Sequence, residues 1–172
     1  EKFRNQIVQL VENNPGQMSR AEYSYITERV GEKAPGNFLI FGVGKDSPFW
    51  IEVNENGKTV FLEDNQDWLN QVRASCSEID AHSVRYNTTR RRWLDLLAQH
   101  AQGIDCLLME LPDRIWETRW DFIFVDAPAG YAEDVPGRMQ SIYTASLLAL
   151  NSGHTDVFVH DCDRLVETIY SG

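Results

Sequence analysis

A chain of 172 residues has the length of one domain with a substantial core, so residues 1–172 are predicted to form a single domain. Its 42% hydrophobic and 24% charged residues are typical of a globular protein, and no segment approaches the apolar length of a membrane span. The formal net charge of −10 disfavours a general nucleic-acid-binding protein, because such proteins usually present a basic surface.

Two helices are predicted ahead of the first strand. The first shows apolar residues at helical spacing and ends before a Pro-Gly pair. Ser19 and Glu22 form a capping box for the second, which ends before Pro35. Neither helix carries obvious chemistry, so residues 1–36 are predicted to be a helical cover over a sheet core at residues 37–172.

The stretch NFLIFGVGKDS, residues 37–47, is the first candidate binding element. An apolar strand leads into Gly42 and Gly44, and Asp46 and Ser47 are placed to open a helix. In open α/β sheets, ligands bind at the carboxyl end of such a strand, where glycine lets the backbone approach them. Ser47 stands where a dinucleotide fingerprint has its third glycine, so a tight turn without a ligand is the alternative.

A second strand is predicted over residues 59–62 and is followed by Glu63 and Asp64. An acidic residue about 20 positions beyond the glycine turn binds the ribose hydroxyls in such folds. Glu63 is therefore the candidate ribose-binding residue. A solvated acidic loop, or a cap for the next helix, is an equal alternative.

Two segments compete for the third strand, residues 81–86 and residues 106–111. The helix predicted between them begins with three consecutive arginines, Arg90 to Arg92. Positive charge at a helix start opposes the helix dipole. The cluster indicates either an anionic partner or a solvated face.

The next strong pattern is WDFIFVDAPAG, residues 120–130, a buried strand that ends in Asp126. A carboxylate at the carboxyl end of a parallel strand would point into the same crevice as the glycine turn. Pro136 is predicted to open the following helix, with Arg138 at its exposed start.

A fifth buried strand is predicted over residues 155–159, ending in His160 and Asp161, and a last helix follows from Leu165. Strands and helices thus alternate along the chain. This order predicts a doubly wound α/β domain whose strand ends lie along one edge of the sheet.

Five segments carry a family resemblance: NFLIFGVGKDSPFW, TVFLEDNQDWL, WDFIFVDAPAGY, PGRMQSIYTA and TDVFVHDCDR. They are similar to the plant polysaccharide-biosynthesis family that includes glucuronoxylan 4-O-methyltransferases. The resemblance implies a class I methyltransferase fold, which is a Rossmann-like, mostly parallel sheet with helices on both faces. Relatives continue with further strand-like sequence, so the final hairpin of that sheet is expected to be missing here.

The resemblance also implies S-adenosylmethionine as the methyl donor. The residues that it places around the donor are Gly42, Gly44, Asp46, Ser47, Glu63 and Asp126. The first four would hold the amino-acid end, Glu63 would bind the ribose, and Asp126 would lie beside the methyl-transfer point.

Methyl transfer to a hydroxyl requires alignment and a base that removes the hydroxyl proton. Asp126, His160 and Asp161 are the candidates, and histidine has the most suitable unperturbed pKa. The alternatives are that His160 bonds a loop and that Asp161 caps the last helix. Asp126 and Asp161, at the ends of adjacent strands, are also candidate ligands of a divalent cation.

The implied acceptor is a glucuronic acid side chain of a wall polysaccharide. Arg138 would pair with its carboxylate and Tyr131 would stack on a sugar face, although Arg138 could instead bond the preceding loop. Two other functions stay open, a non-catalytic partner in xylan biosynthesis and a nucleotide-binding oxidoreductase. The resemblance implies the Golgi lumen as the location, and neither nucleic acid nor membrane contact is expected.

Overall fold

A five-stranded parallel sheet organises residues 2–172, the part of the chain that the computed structural model describes. Its strands are β1 (Asn37–Phe41), β2 (Lys58–Glu63), β3 (Ala81–Ser83), β4 (Phe122–Val125) and β5 (Asp156–Val159). They lie in the order β3-β2-β1-β4-β5, and every neighbouring pair is parallel. This order, with helices between the strands, is that of a Rossmann-like sheet.

Helices connect the strands and cover both faces of the sheet. They are α1 (Arg4–Asn13), α2 (Arg20–Lys33), α3 (Ser47–Val53), α4 (Gln66–Ser75), α5 (Trp93–Ala101), α6 (Asp113–Glu117), α7 (Met139–Ser152) and α8 (Leu165–Ser171). The predicted capping box begins α2, since Glu22 accepts a hydrogen bond from the Ser19 amide at 2.7 Å. Within residues 2–172, no helix has both the length and the apolar character that a bilayer-spanning segment needs.

Alternation along the strands divides the core into two layers. Phe38 and Ile40 of β1 point to the face that α1 to α4 cover, whereas Leu39 and Phe41 point to the face that α6 and α7 cover. All four side chains are buried. A strand buried on both faces reads as a continuous apolar run, which is why the sequence pattern located β1 and β4. The expected doubly wound α/β architecture is confirmed.

Of the two segments that were candidates for the third strand, the first one forms it. Ala81–Ser83 pairs in parallel with β2, whereas residues 106–111 contain no strand. Leu107 and Met109 are nevertheless buried, and the Met109 amide donates to the Thr144 hydroxyl of α7 at 3.3 Å. The second apolar run therefore packs on a helix instead of extending the sheet.

The prediction that Pro136 opens a helix is wrong, because α7 begins at Met139. Gly137 lies close to the backbone of Arg90, since a Cβ at this glycine would be 3.2 Å from the Arg90 Cα. The arginine cluster meets the same loop. Arg90 forms an ion pair with Glu133 at 2.7 Å, and Arg91 forms one with Asp134. Two of the three arginines in the cluster are therefore neutralised within the chain.

Successive strands are added toward one edge of the sheet from β1 and toward the opposite edge from β4. The topological switch point therefore lies between β1 and β4. The chain runs outward from β1 through β2 to β3 and then returns to β4 on the other side of β1. Gly42 follows β1 and Asp126 follows β4, and the Asp126 amide donates to the Phe41 carbonyl at 3.0 Å. Open α/β sheets bind ligands at this position.

Candidate active site

A cavity of about 790 Å³ lies at the switch point. This volume is within the range of small-molecule and cofactor sites. Its walls include every site residue that the sequence singled out: Gly42, Gly44, Asp46, Ser47, Glu63, Asp126, Tyr131, Arg138, His160 and Asp161. The cavity brings these residues together, but their individual roles remain predictions.

The glycine turn after β1 has no room for larger residues. Gly42 has a φ of +114°, and a Cβ there would lie 3.2 Å from the Cβ of Ala127. A Cβ at Gly44 would collide with the Asp46 carboxylate. The Gly44 amide donates to the Ser47 hydroxyl at 3.0 Å, which closes the turn into α3. The packing of the turn therefore favours glycine at both positions.

Gly42→Ala is expected to lower the free energy of unfolding by about 1–3 kcal/mol, because the φ is unfavourable for alanine and the new methyl group meets Ala127. Gly31→Ala is the matched control. Gly31 lies within α2 with nothing within 4 Å of its ideal Cβ, so there alanine should raise the free energy by about 0.5–1 kcal/mol. Urea unfolding of the two variants checks both signs, and equal effects would contradict the steric explanation.

Asp46 is held from two sides at the start of α3. The Tyr23 hydroxyl and the Trp50 indole N–H each donate to its Oδ2 at 3.0 Å. Burial raises the pKa of Asp46, and the negative charge of Asp126 raises it further. Tyr23 belongs to α2 and lines the cavity, so the N-terminal helices contribute to the walls of the candidate site.

Glu63 supports the glycine turn from β2. Its Oε2 accepts from the Val43 amide at 2.9 Å and its Oε1 accepts from the Asn65 amide at 2.8 Å. Trp68 binds the same segment, donating from its indole to the Val43 carbonyl at 2.6 Å. Burial raises the pKa of the Glu63 carboxyl, which is only 6% exposed. A solvated acidic loop is thereby excluded.

Asp126 and His160 form a hydrogen-bonded pair across the ends of β4 and β5. The Asp126 Oδ1 lies 2.7 Å from the His160 Nδ1, and the other ring nitrogen lies 3.8 Å from the Glu22 Oε1 of α2. Burial acts to lower the pKa of His160, but the hydrogen bond to Asp126 and the charges of Asp126 and Asp161 outweigh it. The pKa of His160 is raised as a result, which makes its neutral ring a stronger base than free imidazole.

Arg138 is buried, so the prediction that it stands exposed at a helix start is wrong. Each of its three nitrogens has a hydrogen-bond partner. Nε donates to the Pro128 carbonyl, Nη1 to the His160 carbonyl, and Nη2 to the carbonyl and carboxylate of Asp126, at 2.8–3.3 Å, and Nη1 also forms an ion pair with Asp161 at 3.0 Å. The guanidinium therefore joins the ends of β4 and β5 to the loop after β4. All three nitrogens are thus engaged within the chain, which disfavours a role for Arg138 in binding a substrate carboxylate.

Asp161 lies between two arginines. Its Oδ2 is 3.0 Å from the Arg138 Nη1 and 2.9 Å from the Arg164 Nη2. Asp126, His160 and Asp161 each offer one ligand atom, and these atoms lie within 4.8 Å of one another. The donor set therefore fits a divalent cation, but both carboxylates already have arginine partners.

Sequence reasoning missed four side chains that shape this site, namely Glu22, Tyr23, Trp68 and Arg164. It also missed residues 13–18, the connection between α1 and α2, which form one wall of the cavity. Helical periodicity assigned Tyr23 to core packing, and that assignment accounts for its ring but not for its hydroxyl. Arg164 follows directly on HDCD, and this spacing from Asp161 was the one available signal.

Residues 21–172 match the model of a family described as IRX15/IRX15L/GXM. Glucuronoxylan 4-O-methyltransferase 1 of Arabidopsis thaliana is 38% identical over 171 residues, covering 90% of this chain and 60% of that protein. Arabinogalactan O-methyltransferase 1 of the same plant is 36% identical, with the same coverage of 90% and 60%. Protein IRREGULAR XYLEM 15, also from Arabidopsis thaliana, is 35% identical and covers 91% and 55%.

Among solved structures, that of Streptomyces venezuelae DesVI aligns with a TM-score of 0.45 and 16% identity, covering 90% of this chain and 56% of that one. The chain spans about 60% of the length of the first glucuronoxylan methyltransferase. The family match extends over most of the residues that build the sheet and the cavity, and it confirms the resemblance of the five segments. This chain therefore belongs to the IRX15/IRX15L/GXM family.

Proposed function

We propose that this chain is an S-adenosylmethionine-dependent O-methyltransferase domain acting on glucuronic acid side chains of a cell-wall polysaccharide such as glucuronoxylan. The observation that carries the proposal is the Asp126–His160 pair, which lies in the same cavity as the glycine turn and Glu63. The cavity thus combines a candidate base with the kind of pocket that binds nucleotides. Relatives named as glucuronoxylan and arabinogalactan O-methyltransferases support the choice of reaction.

The walls of the cavity fit the proposed donor. Gly42 and Gly44 form the turn that lines the cavity. Both hydrogen bonds to the Asp46 carboxylate are accepted by Oδ2, and Ser47 begins α3 next to it. We assign these four residues to the amino-acid end of the donor. Each oxygen of the Glu63 carboxylate accepts one amide and keeps a second lone pair for a ribose hydroxyl.

Proton removal is assigned to His160. With Nδ1–H held by Asp126, the neutral ring presents the lone pair of Nε2 to an acceptor hydroxyl. S-adenosylmethionine, when bound, supplies the electrophilic methyl group. Asp126 thus orients the base and stabilises its protonated form, whereas Asp161 acts through Arg138 and Arg164.

The acceptor is proposed to approach past Tyr131, which is 74% exposed at the cavity wall and can stack on a sugar ring. Arg138, the residue expected to pair with the uronate, is already engaged in five polar contacts with other residues of the chain. Arg164 lines the same cavity and is about one-third exposed, so it replaces Arg138 in this role.

Two titrations and one assay test the proposed function. We expect calorimetry to detect binding of S-adenosylhomocysteine but not of NAD, and we expect methyl transfer from S-adenosylmethionine to glucuronoxylan. Binding of NAD in preference to S-adenosylhomocysteine would favour the oxidoreductase. Donor binding without transfer to any uronate-bearing glycan would favour the non-catalytic partner in xylan biosynthesis.

A divalent cation at Asp126 and Asp161 is a finer part of the proposal, supported by ligand atoms of the two carboxylates that lie within 4.8 Å of one another. Exhaustive chelation is expected to lower methyl transfer, and added Mg²⁺, Mn²⁺ or Co²⁺ is expected to restore it. Binding would compete with Arg164 for Asp161, so Arg164→Gln should bind the cation more tightly. Full activity after chelation, with no cation retained by elemental analysis, would contradict this part alone.

We also propose that the domain works in the Golgi lumen. Its support is the family membership together with a glycosylation sequon, Asn87-Thr88-Thr89, whose asparagine is exposed. Secretory expression should yield a chain whose mass falls on glycosidase treatment, and Asn87→Gln should abolish that shift. A wild-type chain that carries no glycan in a secretory host would remove this support.

A further inference from the structure

A second cavity, of about 390 Å³, adjoins the first at His160. Met18, Phe124 and His160 line both cavities. The remaining lining comes from α2 on one side and from β5 on the other. His160 therefore lies where the two cavities meet.

The second cavity is an elongated groove. Its floor follows β5 from Asp156 to His160, four strand steps or about 13 Å. Its α2 wall runs from Glu22 to Arg29, seven helical steps or about 10 Å. Asp156 closes the far end through ion pairs with Lys33 at 2.7 Å and with Arg29 at 3.6 Å.

The groove presents the surface chemistry of a sugar-binding site. Tyr25 is 60% exposed at its rim, and its ring meets Phe158 edge-to-face with centroids 6.3 Å apart. Aromatic faces stack on sugar rings, and carboxylates accept hydrogen bonds from sugar hydroxyls. Glu22 provides such a carboxylate at the end nearest His160, where its Oε1 and the His160 Nε2 are 3.8 Å apart. That separation is too long for a direct hydrogen bond.

We propose that the groove between α2 and β5 binds the sugar units of the acceptor glycan next to the one that is methylated. Glu22 accepts a hydrogen bond from the acceptor at the His160 end, and Tyr25 stacks on a sugar farther along. This inference rests on the proposed function. The methylated sugar then lies with the donor in the first cavity, and the neighbouring sugars continue past His160 into the groove.

Binding of glycans of two lengths tests the groove. The probes are a short and a long xylo-oligosaccharide that carry one glucuronic acid, titrated calorimetrically with and without S-adenosylhomocysteine. Wild type should bind the long probe more tightly. Tyr25→Ala should weaken the long probe by about 2- to 10-fold and leave the short one unchanged, whereas Tyr25→Phe should keep wild-type affinity.

Leu150→Ala is the matched control, since Leu150 is 79% exposed on α7 and lies outside both cavities. It should bind both probes as wild type does. A length preference that survives in Tyr25→Ala, or a wild-type chain that binds neither probe, would overturn the groove. Failure to bind S-adenosylhomocysteine, with the glycan results as expected, would overturn the donor assignment and leave the groove standing.

Discussion

Arg138→Met is expected to lower the free energy of unfolding by about 3 kcal/mol. The guanidinium is buried, and methionine removes its four hydrogen bonds and its ion pair with Asp161. The carboxylates of Asp126 and Asp161 would then lie next to each other with less compensating charge. Urea unfolding followed by circular dichroism measures the loss.

Two controls separate the geometry of Arg138 from its charge. Arg138→Lys keeps the charge but offers three donors in place of five, so it should recover only part of the stability. Arg91→Met removes an arginine whose ion pair with Asp134 is mostly exposed, and it should change stability by less than about 0.5 kcal/mol. If Arg138→Met were as stable as Arg91→Met, the guanidinium would not be what holds the strand ends together.

His160→Asn is expected to reduce the rate of methyl transfer on the order of 100- to 10,000-fold while leaving affinity for S-adenosylhomocysteine unchanged. The asparagine amide can still donate to Asp126, so the substitution removes the base and keeps the packing. His82→Asn is the matched control, because His82 also lies 3.2 Å from a carboxylate, that of Asp80, but outside the cavity. Equal rates in the two variants would exclude His160 as the base.

The pH dependence of the rate follows from the raised pKa of His160. Because the neutral ring is the proposed base, kcat/KM should rise with pH through an apparent pKa above the ordinary value of 6.5. The sign for stability is opposite. A raised folded-state pKa stabilises the fold below pH 6.5, and this contribution is lost as pH rises through the folded-state value. His160→Asn should remove both dependences, whereas His82→Asn should keep them.

The sequence was sufficient for the sheet and for the positions of most site residues, for one physical reason. Strands buried on both faces are continuous apolar runs, and the polar residue that ends each run lies at the carboxyl edge of a parallel sheet. Asp126 and His160 were located by that rule, Gly42 as the turn that follows such a run, and Glu63 by its position at the end of a strand about 20 residues beyond that turn. Family resemblance then narrowed the chemistry, which the strand pattern alone left open.

The contacts that complete the site could not be predicted, because they join residues distant in sequence. Tyr23 reaches Asp46, and Glu22 faces His160, through the way α2 packs on the sheet. The burial of Arg138 depends on the loop before it, which delays the start of α7 from Pro136 to Met139. Periodicity identifies which face of a helix is apolar, but it does not show which polar atom at that face meets a distant carboxylate.

A crystal structure of this chain with S-adenosylhomocysteine is the most direct test of the proposed site. We expect the analogue in the cavity at the switch point, with its ribose hydroxyls on Glu63, its amino-acid end on the turn from Gly42 to Ser47, and its sulfur on the side of Asp126 and His160. An analogue bound elsewhere, or one whose sulfur lies away from the Asp126–His160 pair, would contradict the assignment of this pair to methyl transfer.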